Sequence, residues 1–356
     1  AETVDIPPAP VKLTDAVITG TTSNGLLVGD TLTVSGATFS PANKGNIVYN
    51  TNTFVWYRCY TAQATASSTV ASYFQVIAGA TAASYKITQN DIGYFIRGAM
   101  VATNSMGTVF SASANSPVVR EYDPLSATWF ATCVVKEGLV YCWGNNAYGQ
   151  MGDGTTVDVL TPTAQPVKLA NGNNLTGVVS VDTGSEHTCA LTNQGAMYCW
   201  GRNNWSQLGD GTTVAKSVAT PVTAVAAGSI GFGSDVVAIS AGEADTCVLK
   251  AGGAAYCWGV NDYGQMADGT STTKVIPTRV LSAASTPLTN ITDIEANRYN
   301  VCVLSNSGSV TGQVYCAGHG GNGQMGNGTV TATNTYLTKA FTSATDSTFT
   351  GATDIS

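Results

Sequence analysis

One phrase recurs four times along the last two thirds of the chain. It reads YCWGNNAYGQMGDGTT from Tyr141, YCWGRNNWSQLGDGTT from Tyr198, YCWGVNDYGQMADGTS from Tyr256 and, in a worn copy, YCAGHGGNGQMGNGTV from Tyr315. Its cysteines, Cys142, Cys199, Cys257 and Cys316, are 57, 58 and 59 residues apart. A near-constant period of this kind forces a repeat architecture, because one such unit cannot bury its apolar face except against a neighbour. The period constrains the fold of this region and leaves the activity open, since repeat folds carry many unrelated functions.

Each copy has a second cysteine upstream: Cys133 before Cys142, Cys189 before Cys199, Cys247 before Cys257 and Cys302 before Cys316. Between the two lies an apolar stretch, a Gly- or Asn-containing turn and another apolar stretch, as in TCALTNQGAMYC. That pattern predicts a β-hairpin, which sets its flanking cysteines opposite each other within disulfide reach. Zinc is excluded, because no short Cys-x-x-Cys spacing occurs and the pairs belong to separate units. Four disulfides are expected, each closing 10 to 15 residues and each contributing roughly 2–3 kcal/mol through loop closure. They imply an oxidising compartment.

A further strand precedes each first cysteine, with its apolar anchor eight residues earlier at Val181, Ile239 and Ile294. The final residues TGATDIS match these strands and put Ile355 at the anchor, while the stretch before Cys133 offers only DPLSA, with Leu125 at the anchor. Pro124 beside it is tolerated mainly at a sheet edge. The array is expected to open on a weak strand and to finish on a spare one, residues 350–356.

The string Cys-Trp-Gly-x-Asn-x-x-Gly-Gln-Leu/Met-Gly-Asp-Gly-Thr, with His187-Thr-Cys-Ala-Leu191 before it, resembles the regulator of chromosome condensation repeat family. It is most similar to the cysteine-containing versions in secreted bacterial proteins. The resemblance covers about residues 125–356, within a repeat domain bounded at 121–356, and implies propeller blades of four antiparallel strands. That family closes its ring with seven blades, whereas four repeats occur here. Three arrangements stay open: a compact ring, an open arc completed by neighbouring chains, and a piece of a longer protein.

Residues 11–120 lack the repeat. Alternating runs such as TLTVSGATF (31–39), TFVWYRCY (53–60) and YFIRGAMVAT (94–103) predict a β-sandwich. GDTLTVSGATFS, WYRC and the stretch through Asp91-Ile92-Gly93-Tyr94-Phe95 resemble bacterial immunoglobulin-like domains. The resemblance implies Trp56 as the core tryptophan and a corner at Asp91, with Phe95 in the tyrosine's place and Tyr94 as the alternative hydroxyl. Cys59 is the odd ninth cysteine, either buried and unpaired or bonded to an external partner. The Pro-rich residues 1–10, which include Val4 and Ile6, predict an extended arm.

Charged residues make up 10 % of the chain, against roughly 25 % in ordinary soluble domains, so Thr, Ser, Asn and Gln must cover the surface. A formal charge of −7 excludes nucleic acid as partner, because phosphate binding needs clustered Lys and Arg. No 18-residue apolar run is present, so no helical membrane span is expected. The start at Ala1 is expected from removal of a signal peptide.

Catalytic groupings are missing from the sequence: two histidines, His187 and His319, fall in different repeats, and no Gly-x-Ser-x-Gly elbow or phosphate loop occurs. His187 is expected to be a structural hydrogen-bonding residue and His319 incidental. Asp153-Gly154, Asp210-Gly211 and Asp268-Gly269 are expected as tight turns, because the dense carboxylate set that calcium requires is missing. Gln150, Gln207, Gln265 and Gln324 are expected to hydrogen-bond backbone between blades. Trp143, Trp200 and Trp258 are expected in the core or in inter-blade packing, with sugar stacking as the alternative. Trp129 and Trp205 fall off that register and are candidates for exposed contacts. No cofactor or metal is expected and no enzymatic activity.

The expected function is an extracellular structural or adhesive surface protein that assembles with itself into a filament or layer. Strand exchange would run through Ala352, Asp354 and Ile355 at one end and Leu125, Val4 and Ile6 at the other. The alternative is a monomeric secreted module that binds a host or cell-surface protein or a glycan.

Overall fold

A computed structural model describes residues 11–20, 26–40, 53–59, 74–88, 91–92, 94–104, 107–113, 116, 119–120, 124–161, 165–222, 235–307, 310–340 and 349–355. Val4 and Ile6 lie outside them. No α-helix occurs among these residues. The chain divides into two compact units, residues 1–119 and 120–356.

In the first unit the strands are β1 (Val11–Thr14), β2 (Val17–Thr19), β3 (Leu26–Leu27), β4 (Thr31–Ser35), β5 (Thr38–Ser40), β6 (Thr53–Cys59), β7 (Phe74–Val76), β8 (Ser84–Lys86), β9 (Phe95–Asn104), β10 (Gly107–Ala112) and β11 (Val119–Arg120). They form a four-stranded sheet in the order β10-β9-β6-β7, a three-stranded sheet β2-β4-β8, and the pairs β1-β5 and β3-β11. β4 buries Leu32 and Val34 and exposes Thr31, Thr33 and Ser35, the period-2 alternation of a half-buried strand. Opposite it, a Cβ on Gly98 would stand 2.8 Å from Val34 Cβ and 3.0 Å from the Trp56 ring. Only glycine lets β9 pass that close. Trp56 is wholly buried and donates its indole N–H to the Ala82 carbonyl at 2.9 Å.

The buried Asp91 carboxylate accepts from Arg58 Nε at 2.7 Å, from the Tyr85 hydroxyl at 2.7 Å, and from Thr88 N and Oγ1 at 2.8 Å each. Tyr85 is thus the tyrosine whose hydroxyl reaches Asp91. Cys59 is buried and unbonded. Burial pushes its thiol up to about 11, against a smaller downward pull from Arg97.

Four blades build the second unit. Blade I holds β12 (Leu125–Ala127), β13 (Ala131–Lys136) and β14 (Leu139–Gly144); blade II holds β15 (Val178–Thr183), β16 (His187–Thr192), β17 (Met197–Gly201) and β18 (Lys216–Pro221). Blade III holds β19 (Val236–Ala241), β20 (Asp245–Lys250), β21 (Ala254–Gly259) and β22 (Lys274–Arg279), followed by a small hairpin, β23 (Leu281–Ala283) and β24 (Thr286–Pro287). Blade IV holds β25 (Ile291–Ala296), β26 (Asn300–Ser307), β27 (Val310–Gly318) and β28 (Asn334–Lys339). Blades II to IV are antiparallel meanders of four strands, while blade I has three among the described residues. Its fourth position is marked by one bridge, between Gly144 and Val159.

In each blade the two cysteines sit directly opposite each other on the second and third strands, Cys133↔Cys142, Cys189↔Cys199, Cys247↔Cys257 and Cys302↔Cys316. All four pairs are disulfides with Cα atoms 4.1 Å apart. Each bridge fixes the register of a hairpin whose slippage by one residue would turn its apolar face outward.

Burial distinguishes interior blades from the end ones. β16 and β20 are buried at every position, since a blade covers each of their faces. β13 alternates, with Thr132 and Val134 only half-buried. On blade IV it is Cys302 that is half-buried, whereas Cys189 and Cys247 are fully buried. One face of blade I and the opposite face of blade IV are open.

Candidate protein-binding surface

The short turns that join each blade's first strand to its second converge on one cleft of about 710 Å³. Thr128, Trp129 and Phe130 come from blade I, Gly184, Ser185 and Glu186 from blade II, Gly242 and Glu243 from blade III, and Asn297 and Arg298 from blade IV. Trp129 is 90 % exposed and Phe130 47 %. Arg298 Nε pairs with Glu243 at 2.7 Å, and Arg202 pairs with Glu186. A second hollow of about 260 Å³ shares Glu243 and Arg298 and is walled by Trp205, 42 % exposed, with Tyr263 and Tyr299. Exposed aromatic rings beside paired charges on preformed turns suit protein recognition. Among the described residues no cluster of His, Cys, Asp and Glu could hold a metal ion.

The joints between blades follow one rule. The Gln150 main-chain carbonyl in blade I accepts from Trp200 Nε1 at 2.8 Å and from Thr188 Oγ1 at 3.0 Å in blade II. Gln207 of blade II accepts likewise from Trp258 Nε1 at 2.9 Å and Thr246 Oγ1 at 2.8 Å in blade III. The glutamine side chains themselves turn inward. Their Oε1 atoms accept from the main-chain N–H of Tyr148, Trp205, Tyr263 and Asn322 within their own turns. The expectation that glutamine side chains bridge the blades is therefore corrected, because the short turn captures the side chain and leaves the carbonyl to face the next blade.

Each joint indole also requires a glycine. A Cβ on Gly152 would stand 2.7 Å from Trp200 Nε1, and one on Gly209 would stand 2.6 Å from Trp258 Nε1. Between blades III and IV the pattern changes at three positions together. Ala317 replaces the tryptophan, Val301 the threonine, and Ala267 the glycine, with all three buried. The glycine is thus absent at the joint where the indole is absent.

A parallel set of contacts links the innermost strands. Thr183 N donates to Ser126 Oγ at 3.0 Å, Ala241 N to Asp182 Oδ2 at 2.7 Å, and Ala296 N to Ser240 Oγ at 2.8 Å. The C-terminal residues continue this series. Ile355 N donates to Asp293 Oδ2 at 3.3 Å, while Gly351 N and Ala352 N donate to Thr311 O and Gly312 O at 2.9 and 3.2 Å. Residues 349–355, Ala352 and Asp354 included, form no ladder strand. They lie against their own blade IV, in the position a fifth inner strand would take. Leu125, at the other end, is 56 % exposed on β12.

His187 is buried and its Nε2 lies 2.9 Å from Thr246 Oγ1. That hydroxyl is committed to the Gln207 carbonyl, so His187 donates. Burial pushes its pKa down to about 4, against an upward pull from the Asp245 main chain. His319 is not incidental: its ring meets Tyr263 edge-on at 4.8 Å, and its Nδ1 lies 2.6 Å from Gln324 Nε2. Asp153, Asp210 and Asp268 accept from the N–H and hydroxyl of Thr155, Thr212 and Thr270 two residues on, closing their turns. Sequence reasoning missed Asp245, a wholly buried carboxyl whose oxygens meet no hydrogen-bond partner of good geometry among the described residues.

Residues 137–191, 194–249 and 252–304 match the regulator of chromosome condensation (RCC1) repeat, and a second description of the same repeat matches 178–207 and 236–265. Human probable E3 ubiquitin-protein ligase HERC4 is 30 % identical over 195 residues, 54 % of this chain and 17 % of its own length. Human E3 ubiquitin-protein ligase HERC2 is 31 % identical over 155 residues, 44 % of this chain and 3 % of its own length. The chain thus spans a small part of these relatives. Among solved structures, human WBSCR16 superposes with a TM-score of 0.49 at 17 % identity, covering 81 % of this chain and 78 % of that one. Yeast RCC1 (Prp20) bound to Kap60 gives 0.48 at 16 % identity, covering 94 % and 85 %.

Proposed function

We propose that this chain, whose residues 137–304 are RCC1 repeats, is a non-catalytic building block of an extracellular surface that assembles with copies of itself. The observation that carries this reading is the docking of residues 351–355 on blade IV as the beginning of a following blade. Three further positions would complete that blade, and β13, β14 and the segment bridged at Val159 in blade I of a second copy can fill them. Its β12 is short and exposed, so the incoming strand can replace it. Four disulfides support an oxidising compartment. The low charge supports a surface that copies approach without strong mutual repulsion.

Sizing and electron microscopy of the chain test this reading. Concentration-dependent assembly that is lost when residues 350–356 are deleted is the expected result. A monodisperse monomer at high concentration refutes it. The exposure of Trp129 at the cleft favours a second reading, a monomeric module that binds a protein or glycan through that cleft.

A further inference from the structure

The open face of blade I carries Thr132 and Trp143, at the repeat positions of Thr188 with Trp200 and of Thr246 with Trp258. Both are half-buried, and neither side chain has a hydrogen-bond partner among the described residues. The open face of blade IV carries the other half of the joint, Gln324 and Gly326, both exposed. Within the described residues the demand for glycine at 326 is its positive φ and not a close contact. Among the described residues an added Cβ would approach no atom closer than 3.4 Å, at Ala340. The backbone there, at φ 61, is close to that of Ala267, at φ 52, and Ser206, at φ 60.

The two internal tryptophan joints show what such a glycine serves. It is glycine wherever the following blade presents a tryptophan, and alanine at 267, where the following blade presents Ala317. Blade IV kept its glycine, so its open face is shaped for an indole. Trp143 is the joint indole without a glycine opposite it. The donor pair and acceptor are likewise complementary: one carbonyl oxygen accepts from both a threonine hydroxyl and an indole N–H, and each open face holds half of that set.

We infer that a second copy of this chain docks head to tail, with its Trp143 seated over Gly326 and its Trp143 and Thr132 donating to the Gln324 carbonyl. The contact is heterologous, so it propagates into a filament or closes into a ring of copies. This rests on the self-assembly reading and adds the joint to it. The docked residues 351–355 supply the inner strand of the shared blade, beside which β13 and β14 of the second copy complete the joint.

The test uses the full chain in sedimentation velocity over a range of concentrations. W143A removes the donor end, and G326A places a methyl group where the indole must sit. G326A keeps a backbone conformation already held by Ala267, so it retains the fold. Each variant alone is expected to associate about tenfold more weakly or worse, as for loss of a buried aromatic anchor. An equimolar mixture retains one intact joint per pair and is expected to give dimers and nothing longer. V275A, on the exposed outer strand β22 of blade III, is the control and is expected to assemble like the parent chain.

Assembly of the parent and of both variants alike would overturn the joint while leaving self-assembly standing. A mixture that stays monomeric would also overturn it. A monomeric parent overturns both readings, and a monomer whose melting temperature falls on W143A would show that the two faces meet within one chain.

Discussion

His187, Asp245 and Asn300 begin the second strands of blades II, III and IV at one repeat position. Each stands behind a tight turn. A Cβ on Gly184 would meet His187 Cε1 at 2.3 Å, and one on Gly242 would meet Asp245 Oδ1 at 2.2 Å. Burial holds the Asp245 carboxyl well above the usual range. Its contribution to stability is therefore complete in acid and is lost as the pH rises past the unfolded value of 3.8. His187 has the opposite sign, complete above about pH 6.5 and lost as the pH falls towards about 4. Asparagine is already present at the equivalent position 300. Asp245→Asn is thus expected to stabilise the second unit by about 1–3 kcal/mol at neutral pH, where a buried carboxyl without a partner of good geometry costs most. The gain should shrink towards pH 4. Denaturant midpoints at the two pH values measure it, and unchanged or lower stability at pH 7 would contradict the assignment.

At the scale of elements, the hairpins were legible because period-2 patterning and turn residues are local. Cys133 facing Cys142 follows from counting outward from a turn. The docking of residues 351–355 was not legible, since TGATDIS resembles a ladder strand and its neighbours decide whether a ladder forms. Its attachment depends on two carboxyls, Asp293 and Asp354. Burial first, then the hydrogen bond and charge of Asp354, raise Asp293 to about 6. A raised acid holds its proton in the docked state, so docking is strongest below about pH 4 and weakens as the pH rises through about 6. Hydrogen exchange at Gly351 and Ala352 should accordingly be faster at about pH 7.5 than the intrinsic pH dependence predicts, relative to about pH 5. Asp354→Asn should reduce that excess and leave the part due to burial. Exchange that follows the intrinsic rate in both variants would refute the carboxyl pair.

The whole molecule has two cores and one redox asymmetry. All four disulfides lie in residues 120–356, and residues 1–119 hold only the buried Cys59 thiol. Thermal unfolding in a reducing buffer should lower the transition of the repeat unit by several degrees. Each lost bridge removes roughly 2–3 kcal/mol, while the transition of the first unit stays in place. Calorimetry with and without reductant measures this, and equal shifts in both transitions would contradict it.

The Tyr-Cys-Trp-Gly phrase by itself determined the hairpins, their bridges and the number of blades, because those features depend on residues a few positions apart. The chemistry at the blade faces was decided only in three dimensions. Residues 38 to 48 positions apart meet there: Gly152 beneath Trp200 and Gln150 on Thr188. A linear pattern shows that glycine, glutamine and tryptophan recur. Stacking the blades shows that each serves its neighbour, and that Trp143 and Gly326 stand at opposite open faces.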